Sequence, residues 1–258
     1  MGGLKTSIIR PVSELVSAEE WETRVNLAAC YRLVAQFGMT EMIASHISAR
    51  VPEAEDQFLI NAYGMFFDEI TASSLIKVDI EGNILFNATD YGINQPGYVI
   101  HSAVHAARPD VSCVIHTHTI AGMAVSAMKQ GLLPLAQTSM RFARIGYHDY
   151  EGVALNLEER ERLARDLAGH EGLILRNHGQ LVVGASIPEA FNNIYRLERA
   201  CQIQLAALAS GAELTMPPEA VVNETWSLYQ PGMRRRFGLL EWPGLLRRLD
   251  RLDPSFRD

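Results

Sequence analysis

The densest chemistry in the chain lies in the run Ser112-Cys113-Val114-Ile115-His116-Thr117-His118. An apolar run leading into H-x-H reads as a buried strand, and on a strand residues i and i+2 point to the same face. His116 and His118 then aim their imidazoles together, which is half of a zinc-type site. An H-x-H pair at a strand end also serves as a plain polar edge, so a third ligand is needed. His178 is the candidate: it follows a second apolar run, Gly172–Arg176, and Gly179 after it permits a sharp turn. Three histidines with an open position are the pattern of a catalytic metal, since structural sites are usually closed by four protein ligands.

Other residues leave two readings each. His101 and His105 stand at i and i+4 on the helix expected after Pro96, on one face. They either approach the metal or satisfy polar contacts in the core. Arg176, two residues before His178 on the same expected strand face, pairs with a substrate carboxylate or makes a structural salt bridge. Tyr147-His148-Asp149-Tyr150 lines a pocket or forms a surface turn, and Arg234-Arg235-Arg236 is a solvated face or a contact between subunits. The chain has no G-x-G-x-x-G, no Walker loop and no G-x-S-x-G.

The elements that must position these groups alternate. Ser17 and Glu20 form a capping box that starts a helix, which Gly38 closes. Short strands follow at Ile47–Val51, Phe58–Ile60 and Ile76–Ile80, with a hairpin turn at Glu81-Gly82-Asn83 before Ile84–Phe86. A helix from Pro96 stops before Pro109. After the Ser112–His118 strand come helices at Ile120–Lys129 and Leu157–Ala168, strands at Gly172–Arg176 and Leu181–Gly184, and a long helix from Ser186 to Ser210 with a second capping box, Ser186 and Glu189. This order predicts an α/β layered fold, and the early hairpin makes its sheet mixed. The expected organisation is a loose arm over 1–16, one domain over 17–210, and a tail over 211–258 packed on the domain or on a neighbouring subunit.

The chain has 258 residues, is 48% apolar and carries a net charge of −7, which disfavours a nucleic-acid surface. Its three cysteines, Cys30, Cys113 and Cys201, are odd in number and widely spaced, so they read as reduced thiols. No run approaches the ~20 apolar residues that span a bilayer, and the first ten residues do not form a signal peptide. The expected compartment is the cytoplasm, with no membrane partner.

Asn94-Gln95-Pro96-Gly97, then His101-Ser102-Ala103-Val104-His105-Ala106-Ala107-Arg108-Pro109-Asp110-Val111, His116-Thr117-His118-Thr119 and Leu175-Arg176-Asn177-His178-Gly179, in that order, resemble the class II aldolase/adducin family, from about Trp21 to Ser210. The His-Ser-Ala and Asn-Gln stretches are closer to its adducin-like branch. The resemblance implies a three-layer α/β/α domain around a mixed sheet, a tetramer with sites near subunit boundaries, and a divalent metal, usually zinc, on His116, His118 and His178. It implies a carbon–carbon lyase, an aldolase or decarboxylase, that stabilises an enediolate or carbanion of a small carbonyl or carboxylic acid substrate. The rival it carries is a non-catalytic, adducin-like interaction module.

Two positions depart from the aldolase pattern. The acid/base glutamate of the aldolases matches Gly97, which cannot carry a proton, so the catalytic proton carrier has no assignment. Their phosphate-binding Gly-Asn-Ile-Ser loop matches Ser45-His46-Ile47-Ser48, where a histidine replaces small residues. His46, His101 and Arg176 are therefore the candidate substrate-binding residues, and a small carboxylic acid is favoured over a sugar phosphate.

Overall fold

Ser17 caps the first helix as its sequence requires. Its hydroxyl accepts the Glu20 N–H at 3.1 Å, and α1 runs Ala18–Gln36. In this computed structural model, residues 10–152, 158–230, 232–233 and 236–258 are described. The strands are β1 (His46–Val51), β2 (Ala54–Ile60), β3 (Ile76–Asp79), β4 (Ile84–Phe86), β5 (Cys113–Thr117), β6 (Gly146–His148), β7 (Gly172–Leu175) and β8 (Gly179–Gly184). Between them lie helices α2 (Gln95–Ala107), α3 (Ile120–Ser126), α4 (Gln137–Met140) and α5 (Glu159–Leu167). The chain then continues through α6 (Ile187–Ala209), α7 (Glu219–Leu228) and α8 (Trp242–Leu252).

All eight strands form one sheet in the order β4-β3-β2-β1-β5-β8-β7-β6. The ladders are antiparallel except β6 with β7, so the sheet is mixed. Strand alternation sorts the core into layers. Ile47, Ala49, Cys113, Ile115, Ile174 and Val182 pack with α1 and α6. Val114, Leu173, Leu175, Leu181 and Val183 point the other way, onto α2 and α5. The result is helix layers on both faces of a central sheet, the α/β architecture the sequence implied. His116 has the parity of Val114, so it lies on the α2 side. Among the described residues no helix is long and apolar enough to cross a membrane.

Several elements differ from the sequence expectation. The helix expected over Ile120–Lys129 ends at Ser126, and Met128–Gly131 closes as a turn. Tyr147-His148 belongs to an edge strand, not to a surface turn: β6 pairs with β7, and His148 is buried. The strand expected to run to Arg176 ends at Leu175. The sharp turn that follows uses Asn177, at φ +54, and not Gly179. Gly179 is needed for a different reason: a Cβ there would lie 2.6 Å from the Thr117 carbonyl oxygen of the neighbouring strand. Helices α4 and α7 had no counterpart in the sequence reading.

After residue 211, α7 packs on α4 and α8 packs on α1. Trp242, Leu249 and Phe256 enter the main core, and Trp242 Nε1 donates to Asn26 Oδ1 at 2.7 Å. The three cysteines are free and buried. Of the basic run, Arg236 pairs with Glu189, while 234 and 235 lie outside the described residues. So do the first nine residues of the expected arm and Leu157, where the helix observed as α5 was expected to begin.

Candidate metal centre

The ends of β5 and the β7–β8 turn bring His116, His118 and His178 together. Ligand nitrogens of all three lie within 4.8 Å of one another. His116 Nε2 is 2.7 Å from His118 Nε2, which is 2.9 Å from His178 Nε2. Behind them, His116 Nδ1 is 3.0 Å from the Gln180 carbonyl and His118 Nδ1 is 2.8 Å from the Glu41 carboxylate. Both partners accept only, so each ring donates through Nδ1 and turns a lone pair at Nε2 toward its neighbours. Lone pairs at such distances repel unless a cation lies among them. Carbonyl and carboxylate acceptors behind convergent imidazoles are the outer partners a metal-binding histidine requires. The residues present therefore fit a divalent ion.

The scaffold behind the triad is cross-linked by hydrogen bonds. The Gln180 side chain donates to Glu198 at 3.0 Å and to Thr119 at 3.2 Å. Thr119 caps α3, accepting the Gly122 N–H at 3.0 Å immediately after His118. Met42 and Ile120, the residues that follow Glu41 and Thr119 in the chain, are 72% and 83% exposed.

A second set of histidines sits deeper. His46 on β1 is directly across the ladder from His116, with ring centroids 4.8 Å apart. Gly97, His101 and His105 form an i, i+4, i+8 stripe of α2 facing His46 and Ser48 of β1. Four helical residues rise about 6 Å and two strand residues rise about 6.7 Å, so the two stripes stay in step. His46 Nδ1 is 2.7 Å from His101 Nε2, and Ser48 Oγ bridges His101 Nδ1 and, at 2.8 Å, His105 Nε2. All four residues are buried.

Burial disfavours the imidazolium form throughout. It holds His46, His101 and His116 well below 6.5, with neighbouring histidines adding to the effect. His105 is lowered to about 3 by burial and then by Arg50. His178 falls to about 4 by burial and then by His118. These rings are neutral at pH 7, the state that binds a metal.

The family whose description is "Class II Aldolase and Adducin N-terminal domain" matches residues 25–205. The chain belongs to that family. It is 54% identical over 245 residues to a protein of Caulobacter vibrioides named "Putative aldolase class 2 protein", covering 94% of this chain and 95% of that one. It is 42% identical over 216 residues to alpha-adducin of Rattus norvegicus, covering 80% of this chain but 29% of adducin. The solved L-fuculose 1-phosphate aldolase from Glaciozyma antarctica is 27% identical with a TM-score of 0.82, covering 93% and 94% of the two chains.

Within the class II aldolase/adducin family, the two departures noted in the sequence are one structural event. A Cβ on Gly97 would lie 2.6 Å from His46 Cδ2 and 2.9 Å from His46 Cγ, so the His46 ring fills the space a side chain at 97 would need. His101 does not reach the triad; it touches His46 from behind. Arg176 is not among the three histidines either. Its Nη1 donates to the Met128 carbonyl at 2.8 Å and its guanidinium stacks 4.3 Å from the Tyr147 ring centroid. Because the strand ends at Leu175 and Asn177 turns, 176 and 178 do not share a strand face. His148 pairs with Asp166 at 2.8 Å, and Tyr150 stands 6.1 Å from the His178 ring. Glu41 is a residue the sequence reading missed; it lies in a loop before β1 with no motif around it.

Proposed function

We propose that the chain is a metal-dependent carbon–carbon lyase, an aldolase or decarboxylase, acting on a small carbonyl or carboxylic acid compound. His116, His118 and His178 hold a divalent ion, zinc by the donor set of three imidazoles. The observation that carries this reading is the convergence of three Nε2 atoms, with His116 and His118 anchored through Nδ1. A bound divalent ion supplies Lewis-acid stabilisation of the negative charge that develops when a carbon–carbon bond breaks.

The chain's own residues set what can enter. Glu41 and the Gln180 carbonyl hold the rings of His118 and His116, and Tyr150 stands 6.1 Å from the His178 ring, with exposed Met42 and Ile120 next in sequence to Glu41 and Thr119. A phosphate ester needs closely packed N–H donors around three anionic oxygens, and His46 occupies that space with a ring. This favours a carboxylic acid or an uncharged carbonyl compound over a sugar phosphate. Exposed Met42 and Ile120 and the family resemblance support a homo-oligomer, a tetramer, in which a neighbour completes the site wall.

Elemental analysis of purified protein is expected to give about one divalent ion per chain. A screen of keto acids, hydroxy acids and sugar phosphates with added metal is expected to favour the acids. Efficient cleavage of a ketose phosphate with no response to any acid would overturn the substrate class. A metal-free, metal-indifferent protein would overturn the lyase. A monomer by light scattering at micromolar concentration would overturn the assembly.

A further inference from the structure

The row His46–His101–Ser48–His105 has a closed end, and that end sets the direction of every proton in it. At the closed end His105 Nδ1 is buried with no hydrogen-bond partner, and the nearby Val111 carbonyl, which accepts Arg50 Nε at 3.2 Å, favours a proton on the ring. Phe58 stacks on the His105 ring at 4.9 Å between centroids. A carbonyl only accepts, so the proton of neutral His105 belongs on Nδ1. Its Nε2 then accepts from the Ser48 hydroxyl. The Ser48 oxygen accepts Nδ1–H of His101, and His101 Nε2 accepts Nδ1–H of His46. The reverse order would set the His105 Nδ1 lone pair against the Val111 oxygen with no proton between them.

We infer that this row locks His46 in the Nδ1–H tautomer, so that its Nε2 is an acceptor on the side of Gly97 and the three-histidine group. The ligand seated there then carries a hydroxyl that donates to His46. This selects a small hydroxy acid or hydroxy carbonyl compound. It disfavours a phosphate group placed against that ring, because phosphate oxygens are acceptors and meet the Nε2 lone pair unfavourably. Gly97 is part of the device, because any side chain there displaces the ring. The tautomer rests only on the buried row; the ligand class rests in addition on the metal-site reading.

Nitrogen-15 spectra of histidine-labelled protein, prepared without metal, read the tautomer directly. His46 is expected to be Nδ1–H with a lone-pair shift at Nε2, and Ser48→Ala is expected to give a tautomer mixture at His46. A His46 that is mainly Nε2–H in the unaltered protein, or one that Ser48→Ala leaves unchanged, overturns the lock. The ligand class is tested by calorimetry on zinc-loaded protein with glycolate and acetate, which differ by one hydroxyl. The preference for glycolate is expected to fall about tenfold in His46→Leu, the size of one hydrogen bond, and in the same direction in Ser48→Ala. An unchanged preference in both variants overturns the hydroxyl assignment. A chain that takes up no zinc refutes the three-histidine reading and with it the ligand class, while the tautomer result stands on its own.

Discussion

The molecule holds two groups of histidines a few ångströms apart, and they are wired differently. In the triad, His116 and His118 spend Nδ1 on a carbonyl and a carboxylate, and Nε2 faces other lone pairs. In the deeper row, each ring nitrogen between His46 and His105 faces another member of the row, so donors and acceptors match without an ion. On the proposed reading, the same residue type makes an ion site where its outer partners only accept, and a tautomer relay where they can do both. Only the first group needs a cation to be satisfied; the row leaves just its two ends open, His46 Nε2 and His105 Nδ1.

The largest test of that contrast removes a ligand. His116→Ala or His178→Ala is expected to abolish stoichiometric metal, while His101→Gln leaves it in place, both read by elemental analysis. Stoichiometric metal in either alanine variant would break the assignment. Next in size is Glu41→Gln, which keeps an acceptor for His118 but removes the charge. Loss of an outer partner typically costs 10–100-fold in metal affinity, so a competition titration is expected to show a drop in that range. An unchanged constant would mean that Glu41 is only a surface neighbour.

Acid tests the closed end of the deeper row. His105 is lowered to about 3 by burial, below the value near 6.5 it has unfolded. The unfolded chain thus binds the proton first as pH falls. The stability that a neutral His105 contributes is complete above pH 6.5 and is lost progressively below it, down to about pH 3. The slope is about 1.4 kcal/mol per pH unit for one such group. Because His46, His101, His116 and His178 are lowered in the same way, urea denaturation of metal-free protein between pH 7 and 5 is expected to show a slope steeper than that of one group, and His105→Phe to reduce it by about one group's share. Equal slopes in both proteins would remove His105 from the account.

How much of this could be read in the sequence depended on the distance over which each feature is encoded. His116 and His118 were legible because the two-residue strand period pairs them locally, and His178 because a His-Gly pair follows an apolar run. The layer order was legible from capping boxes at Ser17 and Ser186 and from apolar runs. Glu41 was not, since its role exists only once the loop before β1 lies against β5. The link between His46 and Gly97 depends on the β1–β5 register and on how α2 docks, which no local pattern states. The three-residue strand β6 hid in a polar-aromatic run, because an edge strand this short carries no usable alternation.

That link sets the next prediction. Gly97→Ala places a methyl 2.6 Å from a buried ring that has little room to yield. Overpacking of this kind costs about 1–3 kcal/mol, so the melting temperature is expected to fall by about 2–10 °C. The His46 nitrogen shifts should move while metal content stays at about one per chain. A neutral substitution with unmoved His46 shifts would show that the ring and the glycine are independent.

The smallest effect is expected at Arg176, and it separates placement near the site from participation in it. The residue lines the approach to His178, yet its guanidinium is already committed to the Met128 carbonyl and to the face of Tyr147. A hydrogen bond from a charged donor contributes about 1.5–3 kcal/mol at most, and the partly exposed stack about 0.5–1 kcal/mol. Met can replace the stem and keep contact with the ring. Arg176→Met is therefore expected to lose about 1–2 kcal/mol of stability, at the low end of these terms, with metal content unchanged. Affinity of the zinc-loaded protein for acetate is expected to stay within about twofold, because the carboxylate partner would be the ion and not this side chain. A tenfold weaker acetate affinity with full metal content would place Arg176 on the substrate after all, and would mean that its bond to Met128 opens when a carboxylate arrives.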